Sequence, residues 1–317
     1  MKLVIQIPAF NEEAQLAATL AELPREVPGV DAVEILVVDD GSRDATSRVA
    51  KDAGADHVRR WPQNRGLAAT FQSALDESLK LGADIIVHTD ADNQYAADDI
   101  AKLIRPILDG NADLVVGCRD MDAIPHFSPT KRALQRLGSA VVRRFSGTTI
   151  PDTTSGFRAY SRRAAARLNV VSGYTYTLET LIQAGREGIA VAHVPIRTNP
   201  KTRESRLISS NLSYIARSVA TILKIFTLYE PIKAFTIAGM ALIVPAIAIG
   251  VRFLYFYFTT GGQGKIQSLI LAATLAIVGV QILVLGVVAD MQAANRRLLS
   301  DLLERERLHF GRETDSD

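Results

Sequence analysis

The stretch HTDADNQY, residues 88–95, sets two carboxylates, Asp90 and Asp92, one residue apart, just after the apolar run Ile85–Ile86–Val87. Residues two apart in a strand point to the same side, and in the turn that follows both carboxylates can still converge. Two close carboxylates repel unless a cation lies between them. Mg²⁺ suits such a pair, because it takes few protein carboxylates and completes its shell with waters and substrate phosphates; Mn²⁺ suits it equally. The competing reading is a pair of acids capping the next helix. Asp-X-Asp alone is a weak signal, but it has two companions. VVDDGS (37–42) again places carboxylates, Asp39 and Asp40, at the end of an apolar run with a glycine after them, and IPAFNE (7–12) ends the first apolar run.

The elements that must position these residues follow from the pattern around them. Val- and Ile-rich runs at 3–10, 33–42, 56–61, 83–92 and 112–119 alternate with helical periodicity over 12–23, 44–53, 66–81 and 97–109. Strands spaced by helices of this kind predict an α/β domain built on a mostly parallel sheet. In such sheets ligands bind beyond the carboxyl ends of the strands. The three polar stretches all fall at those ends.

The chain has 317 residues, 48% of them hydrophobic, and a formal net charge of +2. Its one cysteine, Cys118, rules out a disulfide framework and argues against a thiolate zinc site; it reads as a buried small residue. Trp61 reads as core, and His88 as a residue that ends its strand and packs. The opening MKLVIQIPAF is a first strand rather than a signal peptide, since Pro8 breaks the apolar run early. Residues 234–251 and 266–289 carry no charge. Each is close to the roughly 20 residues that cross a bilayer as a helix, and neither shows the polar stripe of a soluble core helix. Joined by the short TTGGQGK, 259–265, they predict a transmembrane hairpin with an aromatic belt at Phe253 and Tyr255–Phe258. Basic residues flank it on both outer sides: Arg197, Lys201, Arg203, Arg206, Arg217, Lys224 and Lys233 before, Arg296, Arg297, Arg305 and Arg307 after. The positive-inside rule then puts both termini and the α/β domain on the cytoplasmic side of the inner or plasma membrane. Residues 203–229 have the apolar spacing and interleaved charge of amphipathic interfacial helices.

In order and spacing, IPAFNEE, VVDDGSRDAT, NRGLAAT and DADNQY resemble glycosyltransferase family 2, with its nucleotide-sugar-binding GT-A fold, over about residues 1–230. DTTSGFRAY (152–160), the basic segment and the hairpin resemble the subfamily that acts on polyprenyl phosphates, such as dolichol-phosphate mannose synthases and enzymes that load glucose onto undecaprenyl phosphate. The resemblance implies a catalytic domain over 1–202, juxtamembrane helices over 203–231, a hairpin over 232–289 and a cytoplasmic helix and tail over 290–317. It implies inverting transfer of one hexose from a UDP- or GDP-sugar to polyprenyl phosphate, with Mg²⁺ or Mn²⁺ as cofactor, for envelope glycan or glycoprotein assembly. Pro8, Ala9, Asn11 and Glu12 would line the base and ribose pocket, and Asp39 and Asp40 would hold the nucleoside. Asn64, Gly66 and Ala91 belong to the same donor site. Asp90, Asp92 and Gln94 would gather around the metal. Arg119, Ser128, Lys131, Arg132 and Arg206 are the candidates for the acceptor phosphate, and Arg203 could reach a donor phosphate. Asp152 would act as base or orienting carboxylate, anchored by Arg158, and Glu179 would lie near the sugar. Homo-oligomers, including tetramers, are a further implication; no nucleic-acid partner is expected. A processive polysaccharide synthase is the rival within the superfamily, but such enzymes usually carry further membrane helices and a Gln-X-X-Arg-Trp motif, and neither is present here. A silent nucleotide- or lipid-binding scaffold is the other rival, opposed by the intact Asp90, Asp92 and Asp152. Dinucleotide redox chemistry would want Gly-X-Gly-X-X-Gly where PAFNEE stands.

Overall fold

The structure is a computed structural model. It describes residues 1–119, 139–140, 142–143, 146–170, 176–199, 223–224, 226–261 and 266–313. The candidates Ser128, Lys131, Arg132, Arg203 and Arg206, and the amphipathic segment except for its last few residues, lie outside the described residues. The chain divides into two compact units. One comprises Met1–Ile215 with Ser300–Asp317, the other Ala216–Leu299.

The first unit is built on seven strands: β1 (Lys2–Ala9), β2 (Ala32–Asp39), β3 (His57–Arg60), β4 (Ile85–His88), β5 (Leu114–Arg119), β6 (Arg158–Ser161) and β7 (Val191–Ile196). They lie in the order β3-β2-β1-β4-β6-β5-β7. β6 runs antiparallel between β4 and β5, while the other pairings are parallel. The helices are α1 (Leu16–Glu22), α2 (Thr46–Asp52), α3 (Leu67–Lys80), α4 (Ile100–Leu108), α5 (Arg162–Arg167) and α6 (Tyr176–Arg186). The expected mostly parallel sheet is present. The antiparallel β6 is an addition that the strand–helix alternation did not announce, because its four residues RAYS are too short to show a period.

Both faces of the sheet's centre are covered, so β1, β4, β5 and β6 are buried along nearly their whole length, while the edge strands β3 and β7 are not. Alternation sorts their side chains. Leu3, Ile5, Ile7, Ile35, Val37, Ile85 and Val87 join one core cluster with Leu16, Leu20, Leu103 and Ile104 of α1 and α4. Each such side chain contributes about 1.5–3 kcal/mol by leaving water. The other parity faces the layer that holds Phe71 of α3 and Tyr176 of α6, and there one level of the sheet is polar. Gln6, His88 and Arg158 are successive register partners across β1, β4 and β6, and all three are fully buried.

The second unit contains α7 (Pro231–Thr260) and the first part of α8 (Ile266–Glu313). Both helices are long and apolar enough to cross a membrane. They approach through glycines: a methyl group added at Gly239 would meet Leu283 and the Gly279 carbonyl, and one at Gly286 would meet Phe235. Small residues that let backbones come close are the usual means of helix contact in lipid, where apolar burial offers no advantage.

Candidate active site

Two sheet-edge turns face each other at the ends of β1 and β4, and each contains an asparagine with positive φ, Asn11 and Asn93, both at 54°. Asn tolerates this left-handed conformation better than most residues, and it lets the chain reverse as it leaves the sheet. The Asn11 amide donates to Ser42 Oγ at 2.9 Å, and its side-chain oxygen accepts from the Arg43 amide at 2.9 Å. Glu12 N donates to Thr46 Oγ1 at 2.9 Å. The loop after β1 is thereby tied to the loop after β2.

Asp39 and Asp40 are buried and bonded within the chain. Asp39 accepts from the Ser42 amide at 2.8 Å and from the Ser47 hydroxyl, and Arg60 stands 3.7 Å away. Asp40 accepts from the amides of Arg65 at 2.7 Å and Gly66 at 3.0 Å, so it fixes the start of α3. Gly41 has φ 72°, and a Cβ there would lie 2.6 Å from the Gln63 carbonyl carbon, so the Asp39–Ser42 turn requires glycine. Pro8 and Ala9 are the buried last residues of β1, and Ala9 pairs with Asp39. Asn64 is exposed beside Gly41.

The second cluster gathers around Asp90. Its side chain keeps 34% of its surface open, yet protein surrounds the carboxyl closely enough to disfavour its charge. That burial first, then repulsion from Asp92 and Glu12, pushes its pKa up to about 7 against the pull of Arg119. Gln94 braces Asp92: its side-chain amide donates to Oδ2 at 2.7 Å and its backbone amide to Oδ1 at 3.3 Å. The buried Ala91 carbonyl accepts from Thr19 Oγ1 at 2.9 Å, which pins the turn to α1. Among the described residues no three His, Cys, Asp or Glu side chains converge as a metal cage. The donors are two carboxylates on one strand end, an oxygen set that fits a hard divalent cation bringing substrate and water oxygens with it.

Arg119, the last residue of β5, grips Asp152 with two parallel bonds, Nε to Oδ2 at 2.7 Å and Nη2 to Oδ1 at 3.1 Å, and also donates to Thr154 Oγ1 at 3.1 Å. Asp152 is 1% exposed. Burial opposes its charge, but the hydrogen bonds and charge of Arg119 win and hold the carboxyl below its ordinary range. The guanidinium is also within electrostatic reach of Asp90 and Tyr95. The anchoring of Asp152 expected of Arg158 is thus made by Arg119. Arg158 is buried in the row behind, where it donates to the carbonyls of Thr153 at 2.9 Å, Ser155 at 2.8 Å and Thr177 at 2.8 Å and to Thr180 Oγ1 at 2.7 Å. It ties the 153–155 loop to α6. The sequence did not separate it from Arg119, because residue type and spacing do not say which arginine a buried carboxylate meets across the fold. Glu179 is buried on α6.

His88 does more than end its strand. Gln6 Nε2 lies 3.2 Å from its Nδ1, and the Tyr176 hydroxyl lies 2.8 Å from its Nε2. Burial first, then the Arg158 charge, pushes its pKa down to about 3, so the ring is neutral. Tyr95 accepts from the Gly156 amide at 3.1 Å and bonds to Asp90. Its hydroxyl is pushed up to about 12, by burial first and then by Asp90. Gln6, Tyr95 and Tyr176 belong to no motif that marks them as site residues; the one signal for Gln6 is a lone amide within the apolar run LVIQIPA. Trp61 is only partly buried, with the Arg65 guanidinium 3.8 Å over its ring, because β3 is the edge strand.

The profile described as Glycosyl transferase family 2 matches residues 4–168. The chain is 29% identical over 221 residues to the polyprenol monophosphomannose synthase of Mycolicibacterium smegmatis, covering 66% of this chain and 82% of that one. It is 30% identical over 213 residues to the UDP-N-acetylglucosamine–dolichyl-phosphate N-acetylglucosaminyltransferase of Methanococcus voltae, covering 61% of this chain and 83% of that one. In fold it is similar to glucosyl-3-phosphoglycerate synthase from Mycobacterium tuberculosis, with a TM-score of 0.54, 22% identity, and coverage of 70% of this chain and 79% of that one. The α/β domain has the GT-A fold, and the chain is a glycosyltransferase that belongs to glycosyl transferase family 2.

Proposed function

We propose that the protein is an inverting glycosyltransferase that moves one hexose from a UDP- or GDP-sugar to a polyprenyl phosphate at a membrane surface. The observation that carries this reading is the placement of Arg119, fixed by Asp152, within electrostatic reach of Asp90. A diphosphate leaving group and a phosphate acceptor both need cationic partners, and a bidentate arginine presents a rigid one. The acceptor class is supported by the names of the relatives in M. smegmatis and M. voltae and by the two apolar helices.

The transfer forms a bond between an acceptor phosphate oxygen and the sugar C1. It breaks the bond from C1 to the diphosphate oxygen, which leaves with the electron pair. In-line attack inverts the anomeric centre. The acceptor is already an anion, so little help from a general base is required. Asp152, held ionised below the usual carboxylate range, suits the orienting role better than that of base. In this reading Asp90 and Asp92 hold the cation, and Gln94 acts by bracing Asp92. Bound there, Mg²⁺ or Mn²⁺ supplies neutralisation of the charge that builds on the leaving diphosphate. Asp39, Asp40, Asn11 and Glu12 form the nucleoside end, with Pro8, Ala9, Asn64, Gly66 and Ala91 as its walls, and Glu179 is assigned to the sugar side.

A radiolabel transfer assay tests the reading. Purified protein in detergent receives undecaprenyl phosphate, Mg²⁺ or Mn²⁺, and a panel of UDP- and GDP-sugars, beside Asp92→Ala. Label should enter the organic phase with one donor and be lost with EDTA or in the variant. Metal-dependent nucleotide binding without transfer from any donor would overturn the acceptor assignment first.

A further inference from the structure

Behind Asp90 a chain of buried polar side chains runs through the sheet. Ser78 Oγ on α3 lies 2.7 Å from the Ala74 carbonyl and 3.2 Å from Gln6 Oε1, and shares its one proton between the two. Gln6 Nε2 lies 3.2 Å from His88 Nδ1, and the Tyr176 hydroxyl 2.8 Å from His88 Nε2. Ser78, Gln6 and His88 are 0% exposed and Tyr176 is 2%. Phe71 clamps the far end, stacked on Tyr176 at 4.1 Å and set edge-on to His88 at 5.0 Å. With the Gln6 amide donating to Nδ1, the proton of the neutral ring sits on Nε2 and faces the Tyr176 oxygen, so both ring nitrogens are engaged and the ring is held in place.

The chain ends at Asp90. His88 Nε2 is 3.9 Å from Asp90 Oδ1. Gly156 marks how close the Tyr176 hydroxyl comes: a Cβ at 156 would stand 2.8 Å from that hydroxyl and 3.0 Å from Asp90 Oδ2. On another side, the Gly156 amide donates to the Tyr95 oxygen, which leaves the Tyr95 proton for Asp90. Ordinary core packing gives no reason for four buried polar side chains in series, since each must be bonded to avoid a desolvation penalty and aliphatic residues of equal volume carry no such demand. A satisfied buried network does, however, fix its members rigidly. Partners behind a metal-binding carboxylate set its orientation in this way.

We propose that His88 and Tyr176 are positioning residues for Asp90, held in register by Gln6 and Ser78, with Gly156 as the clearance that lets the hydroxyl and the carboxylate share one space. The proposal rests on the reading of Asp90 as a cation ligand.

The test uses the full chain in detergent and Mn²⁺ as the probe, with bound ion read by electron paramagnetic resonance in the presence of UDP. Tyr176→Phe keeps the ring stacked on Phe71 and removes only the hydroxyl. It should weaken Mn²⁺ binding about tenfold and alter the bound-ion spectrum, while metal-free UDP affinity and the thermal midpoint stay near those of the parent. Gly156→Ala removes no member of the chain but crowds the Tyr176 hydroxyl against Asp90, and should produce the same loss, so it gives the reading even if Tyr176→Phe fails to fold. Loss in the double variant should be smaller than the product of the two, because removing the hydroxyl relieves part of the crowding. Parent-like Mn²⁺ binding in both single variants, beside weakened binding in Asp90→Asn, would overturn the positioning role alone. Equal binding in Asp90→Asn and the parent would overturn the cation reading and this proposal with it.

Discussion

The Arg119–Asp152 pair is bidentate and largely buried. Removing one member of a buried pair leaves the other charge without compensation, at about 3–5 kcal/mol. Arg119→Ala is therefore expected to lower stability by about 3 kcal/mol, and Arg119→Ala with Asp152→Ala by less than the sum of the singles. Trp61, the chain's one tryptophan, under Arg65, offers a fluorescence signal for the unfolding curves. The sign of the pH dependence follows from the direction of the shift. Asp152 is held below its ordinary 3.8 in the fold, so its contribution is fully present above that value and is lost as pH falls through the lower, folded value. Acid unfolding of Asp152→Asn should accordingly show a shallower loss below pH 3.8 than the parent. Cys118 makes a simpler case. Its thiol is buried and pushed up to about 11, by burial first. Only the thiolate reacts, so iodoacetamide at pH 8 should leave Cys118 unmodified in the native protein and label it fully in urea; fast labelling of the folded chain would contradict the burial.

Among the elements, α6 and α8 are held by contacts that single substitutions can remove. Gly185 of α6 lies against the Ser146 carbonyl so closely that any Cβ would collide with backbone, which cannot step aside. Gly185→Ala is expected to cost about 1–3 kcal/mol in spite of alanine's better helix propensity. A variant as stable as the parent would mean that the 146 backbone yields. Within the first unit, Arg307 of α8 pairs with Asp76 of α3 at 3.0 Å and donates to the Ala166 and Leu168 carbonyls at 3.2 and 2.9 Å. Those carbonyls are left over at the end of α5, where a cation is favoured by the helix dipole. Glu304 meets Arg167 of the same helix at 3.2 Å. Arg307→Ala should speed amide exchange in α5 and lower the thermal midpoint by a few degrees, with no change at α1 and α4.

At the scale of the whole molecule, the two apolar helices and their basic flanks predict a topology that labelling can test. In a Cys118→Ser background, Gln263→Cys should react with an impermeant maleimide added to intact cells, whereas Ser316→Cys should react only after lysis; the reverse pattern would turn the hairpin over. Much of this molecule is legible before any coordinates. The parallel strands, the clustering of IPAFNE, VVDDGS and HTDADNQY at their carboxyl ends, and the charge-free spans all follow from periodicity and residue type, which are local properties. What the sequence does not carry is pairing across the fold. β6 is four residues long and enters the sheet antiparallel, and only its register places Arg158 level with His88 and Gln6. The anchoring of Asp152 by Arg119 rather than Arg158 has the same origin. Both are arginines at strand ends, but Arg119 leaves β5 facing Asp152 while Arg158 enters β6 facing α6. Residue type and spacing determined which chemistry the chain can do and on which edge of a sheet. Tertiary structure alone decided which buried partner each charged group received, because that depends on strand register and side-chain parity between segments as far apart in the chain as Gln6 and Arg158.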